Sequence, residues 1–214
     1  MVIGTSEWLS KHLELLPKHP EAQYFEVKES ELASLSTLQT PGQVLLVVPM
    51  PEPAEISICN EWYIALDDIQ DPGNMGTIVR LADWFGIRNI ICSEGCADLY
   101  NPKVVQSTMG AFARVKVHYV PLIPFLEQAK LTNIPIYGTF LDGENLYASS
   151  LTANGIVVMG NEGNGISDIV ANSVSRKINI PSFPPGEVTS ESLNVAIATS
   201  VICAEFRRRI ICTG

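Results

Sequence analysis

Long apolar runs are missing from this chain. No stretch approaches the ~18 apolar residues of a membrane-spanning helix; the longest strand-like run, Val44 to Val48, is followed by Pro49. The first residues carry no basic segment ahead of an apolar one, so no secretory leader is expected. Positive charge is also scarce. Fourteen Lys and Arg stand against 23 Asp and Glu, a net charge of −9. That balance speaks against a protein that coats nucleic acid over its whole surface, and it leaves room for a local basic patch. The five cysteines, Cys59, Cys92, Cys96, Cys203 and Cys212, are odd in number and scattered, which excludes a disulfide framework. Cys92 and Cys96 are four apart, but no second Cys or His pair completes a zinc site. Reduced thiols in a cytoplasmic protein, and no metal, are therefore expected. His12, His19 and His118 stand away from any Ser, Cys or carboxylate motif, so a His-based triad has no support. Apolar material is abundant: 46% of residues are hydrophobic and 17% charged, enough for a sizeable core in a chain of 214 residues.

Two α/β stretches are visible. In the first, strands are expected at Val2–Gly4, Tyr24–Val27 and Val44–Val48. A helix capped by Ser6 should run to about Leu16, where Pro17 stops it, and a short one should span Glu29–Leu35. The prolines after Met50 mark a linker, giving a small unit at 1–50, a linker at 51–60 and a larger domain at 61–214. In the larger domain, strands are expected at Trp62–Leu66, Asn89–Cys92, Lys116–Tyr119, Ile134–Thr139, Ile156–Met159 and Lys177–Ile180. Helices fall near Asn74–Phe85, Pro102–Met109, Pro121–Lys130, Ser167–Asn172 and Ser192–Arg209. Strands alternating with helices imply an α/β fold, a mainly parallel sheet with helices on both faces.

Ligands of such a sheet bind beyond the carboxyl ends of its strands, and three loops there are unusual. The first runs from Asp67 to Arg80, with Asp67, Asp68 and Asp71, a Pro72-Gly73 turn, Asn74 as a natural helix cap and Arg80 nearly two turns into the helix; composition alone favours a plain acidic loop capping a helix, with Arg80 a surface residue. The second is Gly160-Asn161-Glu162-Gly163-Asn164-Gly165. Its glycines permit positive φ and close ligand approach; a plain strand-to-helix turn accounts for them equally well. Glu162 argues against a tightly held phosphate. The third, Ile180 to Asn194, is rich in proline and leads into the last helix, where Ser192 is a candidate cap. Apolar residues from Leu193 to Ala204 surround that helix, so a second subunit is expected to cover it.

These loops, in this order, resemble the three motifs of the SpoU/TrmH family of RNA ribose 2′-O-methyltransferases, of the SPOUT class. Asp71-Pro72-Gly73-Asn74-Met75-Gly76-Thr77-Ile78-Val79-Arg80 is similar to the first. Met159-Gly160-Asn161-Glu162-Gly163-Asn164-Gly165-Ile166 is similar to the second. Ile180-Pro181 with Glu191-Ser192-Leu193-Asn194-Val195-Ala196 is similar to the third. The resemblance covers Trp62 to the C-terminus. It implies a C-terminal trefoil knot, S-adenosylmethionine as cofactor, an RNA substrate (rRNA or tRNA) and a homodimer. By the same resemblance Gly160, Ile180 and Leu193 contact the cofactor, with Thr139, Phe140, Asn161 and Gly163 as neighbours. Residues 1–50 resemble the latter part of the family's RNA-binding domain without its opening strand and helix, as a fragment or a reduced domain would.

The resemblance also implies catalytic roles for Arg80, Asn74, Glu162, Ser192 and Asn194. Methyl transfer to a ribose hydroxyl needs alignment and stabilisation of the oxygen as its proton leaves. A permanently charged guanidinium at Arg80 fits a stabilising role better than that of a base. Asn74 would orient Arg80 or the ribose, and Ser192 and Asn194 would position Arg80 or the target hydroxyl. Glu162 would anchor its loop or pair with a cation. RNA would meet Arg80, Arg88, Lys103, Arg114, Lys116 and the triplet Arg207–Arg209; for the triplet, favourable charge at a helix end is an equal account. Other readings are a nucleotide-binding enzyme of another class, a non-catalytic RNA-binding relative, and a methyltransferase acting on a base. The segment between Pro181 and Glu191 departs from the family in length and proline content.

Overall fold

The computed structural model describes every residue except 37, 39, 53–55, 185, 186, 188, 189, 213 and 214, and every side chain except those and 16, 211 and 212. The expected linker and the proline-rich segment thus lie partly outside the described residues. The chain forms two compact units, Met1–Glu52 and Pro53–Gly214.

In the first unit a three-stranded sheet has β1 (Val2–Gly4) at its centre, parallel to β2 (Tyr24–Glu26) and antiparallel to β3 (Val44–Leu46). Helix α1 (Ser6–Lys11) is shorter than expected and is capped by Thr5, not Ser6; the Thr5 hydroxyl accepts the Trp8 amide at 3.3 Å. A 3-10 turn, Leu13–Lys18, takes over where Pro17 cannot donate to an α-helical ladder. Helix α2 is Glu29–Leu35. Leu32 is the one buried apolar side chain among this unit's described residues.

The second unit holds a parallel six-stranded sheet: β4 (Trp62–Asp67), β5 (Asn89–Cys92), β6 (Lys116–Tyr119), β7 (Ile136–Asn145), β8 (Gly155–Gly160) and β9 (Arg176–Asn179), in the order β6-β5-β4-β8-β7-β9. Every residue of β4 and β8 is buried, as strands covered on both faces must be. Alternation along the strands sorts the core into two clusters. Trp62, Ile64, Leu66, Val157 and Met159 join one, with α3 (Pro72–Trp84) and α7 (Val195–Cys212). Tyr63, Ala65, Ile156 and Val158 join the other, with α5 (Leu122–Leu131) and α6 (Asp168–Ala171). Helix α4 (Pro102–Thr108) packs on α3 at Gly76, where a Cβ would meet Ser107 Cβ at 2.4 Å.

In this second unit α3, α7 and β7 depart from expectation. Asp71, not Asn74, caps α3: its Oδ1 accepts the Asn74 amide at 2.8 Å. Asn194, not Ser192, caps α7, because its Oδ1 accepts from the amides of Ala196 (3.0 Å) and Ile197 (3.2 Å). Strand β7 continues to Asn145 beyond a register shift in which Thr139 and Glu144 both pair with Ile178. The residues between them bulge away from β9, and Gly143 allows it, since a Cβ there would lie 2.5 Å from the Ile178 carbonyl carbon. Among the described residues no helix is long and apolar enough to cross a membrane.

Candidate active site

The chain runs outward from β4 through β5 to β6, then returns to the other side of β4. Strand order reverses at β4, and the loops after β4 and its neighbour β8 meet where an open parallel sheet leaves a crevice. Buried Asp67 ends β4 and accepts the Ser167 amide at 2.8 Å, so it ties the start of α6 to the sheet. Asp68 follows at φ 59. Its carbonyl accepts the Asn161 side-chain amide at 2.7 Å, and its own amide donates to Ser93 Oγ at 2.9 Å.

Asn161 organises the loop after β8. Its Oδ1 accepts from Gly163 N (2.9 Å) and Asn164 N (3.1 Å), while its backbone exchanges two hydrogen bonds with Gly165. The glycines serve this turn. A Cβ on Gly160 would sit 2.2 Å from the carbonyl carbon of Gly165, and Gly165 has φ +70. The space that a Gly160 side chain would need is filled by its own loop.

One hydrogen-bonded chain joins the three motif loops. Asn74 Nδ2 donates to Glu162 Oε1 at 2.8 Å, and Asn194 Nδ2 donates to Asn74 Oδ1 at 2.9 Å. Asn194 Oδ1 in turn takes the first free amides of α7. A carboxylate only accepts and a helix start only donates, so both amides have one satisfying orientation. Glu162 is thus held by α3, and α3 and α7 are linked at their N-termini. They are linked again further along, where Arg207 Nε donates to the Phe85 carbonyl at 2.7 Å.

Beside this chain lies a cavity of about 840 Å³. Thr139 and Phe140 of the β7 bulge form one wall. Gly160, Asn161, Glu162 and Gly163 form another, and Ile180, Ser192, Leu193 and Asn194 complete it. The sequence-derived candidates therefore converge here, except two. Asn74 reaches the group through Glu162 and Asn194. Arg80 is exposed, does not line the cavity, and its side chain has no hydrogen bond or ion pair among the described residues. Six residues past Asn74, it is displaced about 9 Å along α3 and about 120° around it. No hydrogen bond links it to Asn74, Ser192 or Asn194, and Ser192 is exposed.

The lining carries two carboxylates, Glu162 and Glu191, and no Lys or Arg among the described residues. Such a cavity repels the polyphosphate of a dinucleotide or nucleoside triphosphate. It suits a molecule with a sulfonium and an ammonium group, whose adenosine can use the backbone polar groups of the loops. S-adenosylmethionine is such a molecule.

Sequence reasoning missed the part played by Cys96. Its Sγ accepts the Ile69 amide at 3.3 Å and donates to the Leu66 carbonyl at 3.4 Å, stitching the first motif loop to the segment after β5. The neighbouring Cys92 thiol holds Cys96 down at about 7 and is itself pushed well above its ordinary range. The expected arginine contacts also change. Arg207 bonds the Phe85 and Gly86 carbonyls, Arg208 and Arg209 clasp Glu205, and Arg209 also binds the carbonyls of Leu146, Tyr147 and Ser149. Arg114 is paired with Asp83 at 2.7 Å. Arg88, Lys103 and Lys116 are exposed.

Residues 61–204 match the model of the SpoU rRNA Methylase family. The chain belongs to that family. It is 28% identical over 186 residues to the 23S rRNA (guanosine(2553)-2′-O)-methyltransferase RlmP of Bacillus subtilis, covering 86% of this chain and 73% of that protein. It is 32% identical over 148 residues to the 23S rRNA (guanosine-2′-O-)-methyltransferase RlmB of Neisseria meningitidis, covering 68% of this chain and 58% of the relative. A solved structure of a TrmH-family chain from Porphyromonas gingivalis superimposes with a TM-score of 0.81 at 40% identity, covering 98% of this chain and 82% of that one. The SpoU methyltransferase AviRb of Streptomyces viridochromogenes, solved with AdoMet, gives a TM-score of 0.80 at 25% identity over 98% of this chain and 82% of AviRb.

Proposed function

We propose that this SpoU-family chain transfers a methyl group from S-adenosylmethionine to a ribose 2′-hydroxyl of a structured RNA, an rRNA or tRNA, in the cytoplasm. The observation that carries the reading is the hydrogen-bonded chain Glu162–Asn74–Asn194 beside a cavity lined by carboxylates and, among the described residues, by no Lys or Arg. S-adenosylmethionine, when bound, supplies an electrophilic methyl group. Gly160, Asn161, Gly163, Ile180 and Leu193 hold the cofactor, with Thr139 and Phe140 on the bulge side. Glu162, fixed by Asn74, keeps the second motif loop in place, and Ser192 contacts substrate at the rim.

Arg80 stabilises the ribose oxygen as its proton leaves. It lies outside its own chain's cavity, so the active unit is a homodimer in which Arg80 serves the partner's site. Support comes from apolar exposure on α3, on α7 and just ahead of α7: Trp84 is 84% exposed, Ile197 55% and Leu193 48%. The segment from β7 to α7 threads the trefoil knot of the SPOUT class. Residues 1–50 contribute to RNA binding and are joined through 51–60 to the catalytic domain at 61–214.

The test is methyl transfer from tritiated S-adenosylmethionine to ribosomal RNA and tRNA purified from cells lacking the protein, followed by nucleoside analysis. Label in 2′-O-methylribose supports the reading; label in a base, or none while calorimetry shows no cofactor binding, overturns it.

A further inference from the structure

The proline-rich segment after β9 carries an exposed aromatic ring at the cavity. Phe183 lines the cavity yet is 84% exposed. Pro184 follows it and Pro181 stands two residues before it. Prolines restrict this backbone, so the segment beneath the ring loses little freedom when something covers it. The cavity's inner wall is already apolar, backed by buried Leu146, Met159, Ile178 and Ile202. The apolar face of an adenosine has partners there without the Phe183 ring.

Charge narrows the choice of occupant. Glu162 and Glu191 line the cavity without any Lys or Arg among the described residues, which disfavours a backbone phosphate there. A flat uncharged group is not disfavoured, and an aromatic ring with an open face is the usual partner of an unstacked nucleobase.

We propose that Phe183 is the stacking platform for the base of the nucleotide whose ribose is methylated. It sets RNA affinity and leaves the cofactor untouched. The inference rests on the reading of the chain as an RNA ribose methyltransferase. Because the ring contributes only a π-face, it tolerates any base and selects for a nucleotide that is unstacked from its neighbours.

The test uses the full chain and ribosomal RNA from cells lacking it. Single-turnover methylation is measured against RNA concentration, and S-adenosylmethionine affinity by calorimetry. Phe183→Ala should raise the half-saturating RNA concentration roughly 5- to 100-fold. Cofactor affinity and the rate at saturating RNA should stay within about twofold of wild type. Phe183→Trp should restore RNA affinity and Phe183→Leu should not. Unchanged RNA dependence of Phe183→Ala in an active protein overturns the proposal, as does a matching loss of cofactor affinity or full rescue by Leu. If wild type neither binds cofactor nor methylates RNA, the methyltransferase reading fails and this inference fails with it. Thermal melts of each variant show that the fold is kept.

Discussion

At the scale of the residue, Arg80 and Gly160 separate chemistry from scaffolding. Arg80 is exposed and does not line the cavity of its own chain. Arg80→Ala should leave cofactor affinity near wild type while methyl transfer falls ~10²–10³-fold or more, the usual cost of losing one preorganised stabiliser. Arg80→Lys should not rescue, because an ammonium lacks the planar fork. Calorimetry beside single-turnover kinetics checks both, and a near-normal rate would show that the stabilising group lies elsewhere. Gly160→Ala acts in the opposite way. Its Cβ would meet the Gly165 and Ile166 backbone at 2.2 Å, so the loop must rebuild. Cofactor binding should be lost, with about 1–3 kcal/mol or more of stability, read by calorimetry and urea melts.

At the scale of the element, α3 and α7 form a frame held at both ends, by Asn74–Asn194 and by Arg207 on the Phe85 and Gly86 carbonyls. Each buried stripe of α7 has a partner in the first core cluster, through Val195, Ala196, Ile202, Cys203 and Phe206. What remains uncovered is the line of Leu193, Ile197 and Ala204. An Ile half in water gains by meeting a second apolar surface. Ile197→Glu should therefore convert a dimer to a monomer and remove methyl transfer while cofactor binding by the monomer persists. Sedimentation at micromolar concentration decides this, and an active monomer in the wild type would overturn the arrangement.

At the scale of the whole molecule, the acidic balance and the arginine triplet act together. Glu205 is buried at 6% exposure, and Arg208 above all, then Arg209, hold its carboxyl down at about 2. A depressed folded-state value means that this cluster stabilises the fold fully above the ordinary carboxylate range, near 4.3. The contribution is lost as pH falls from there toward about 2. Thermal melts between pH 6 and pH 2.5 should show that decline in the wild type. Glu205→Gln should begin lower at neutral pH and decline less steeply; parallel curves would remove the cluster from the account of acid stability.

Local patterning alone determined which segments are strands and which are helices. Asn89–Cys92, Lys116–Tyr119 and Glu29–Leu35 stand where the alternation and the flanking turn residues put them. The three motif loops were legible too, since their glycines, prolines and amides are turn chemistry written in adjacent positions. Capping was less legible, because neighbouring polar residues compete. Asp71 took α3 from Asn74, whose amide was drawn to Glu162 88 positions away, and Asn194 took α7 from Ser192. The bulge of β7 depends on a backbone approach between Gly143 and Ile178 that no local signal records. The placing of β8 between β4 and β7, the bond from Asn194 to Asn74 across 120 positions, the stitching by Cys96 and the internal use of Arg207–Arg209 were decided only by the tertiary structure. Periodicity and turn chemistry act within a few residues, whereas a hydrogen-bond partner is whichever satisfying group the finished packing brings within 3 Å.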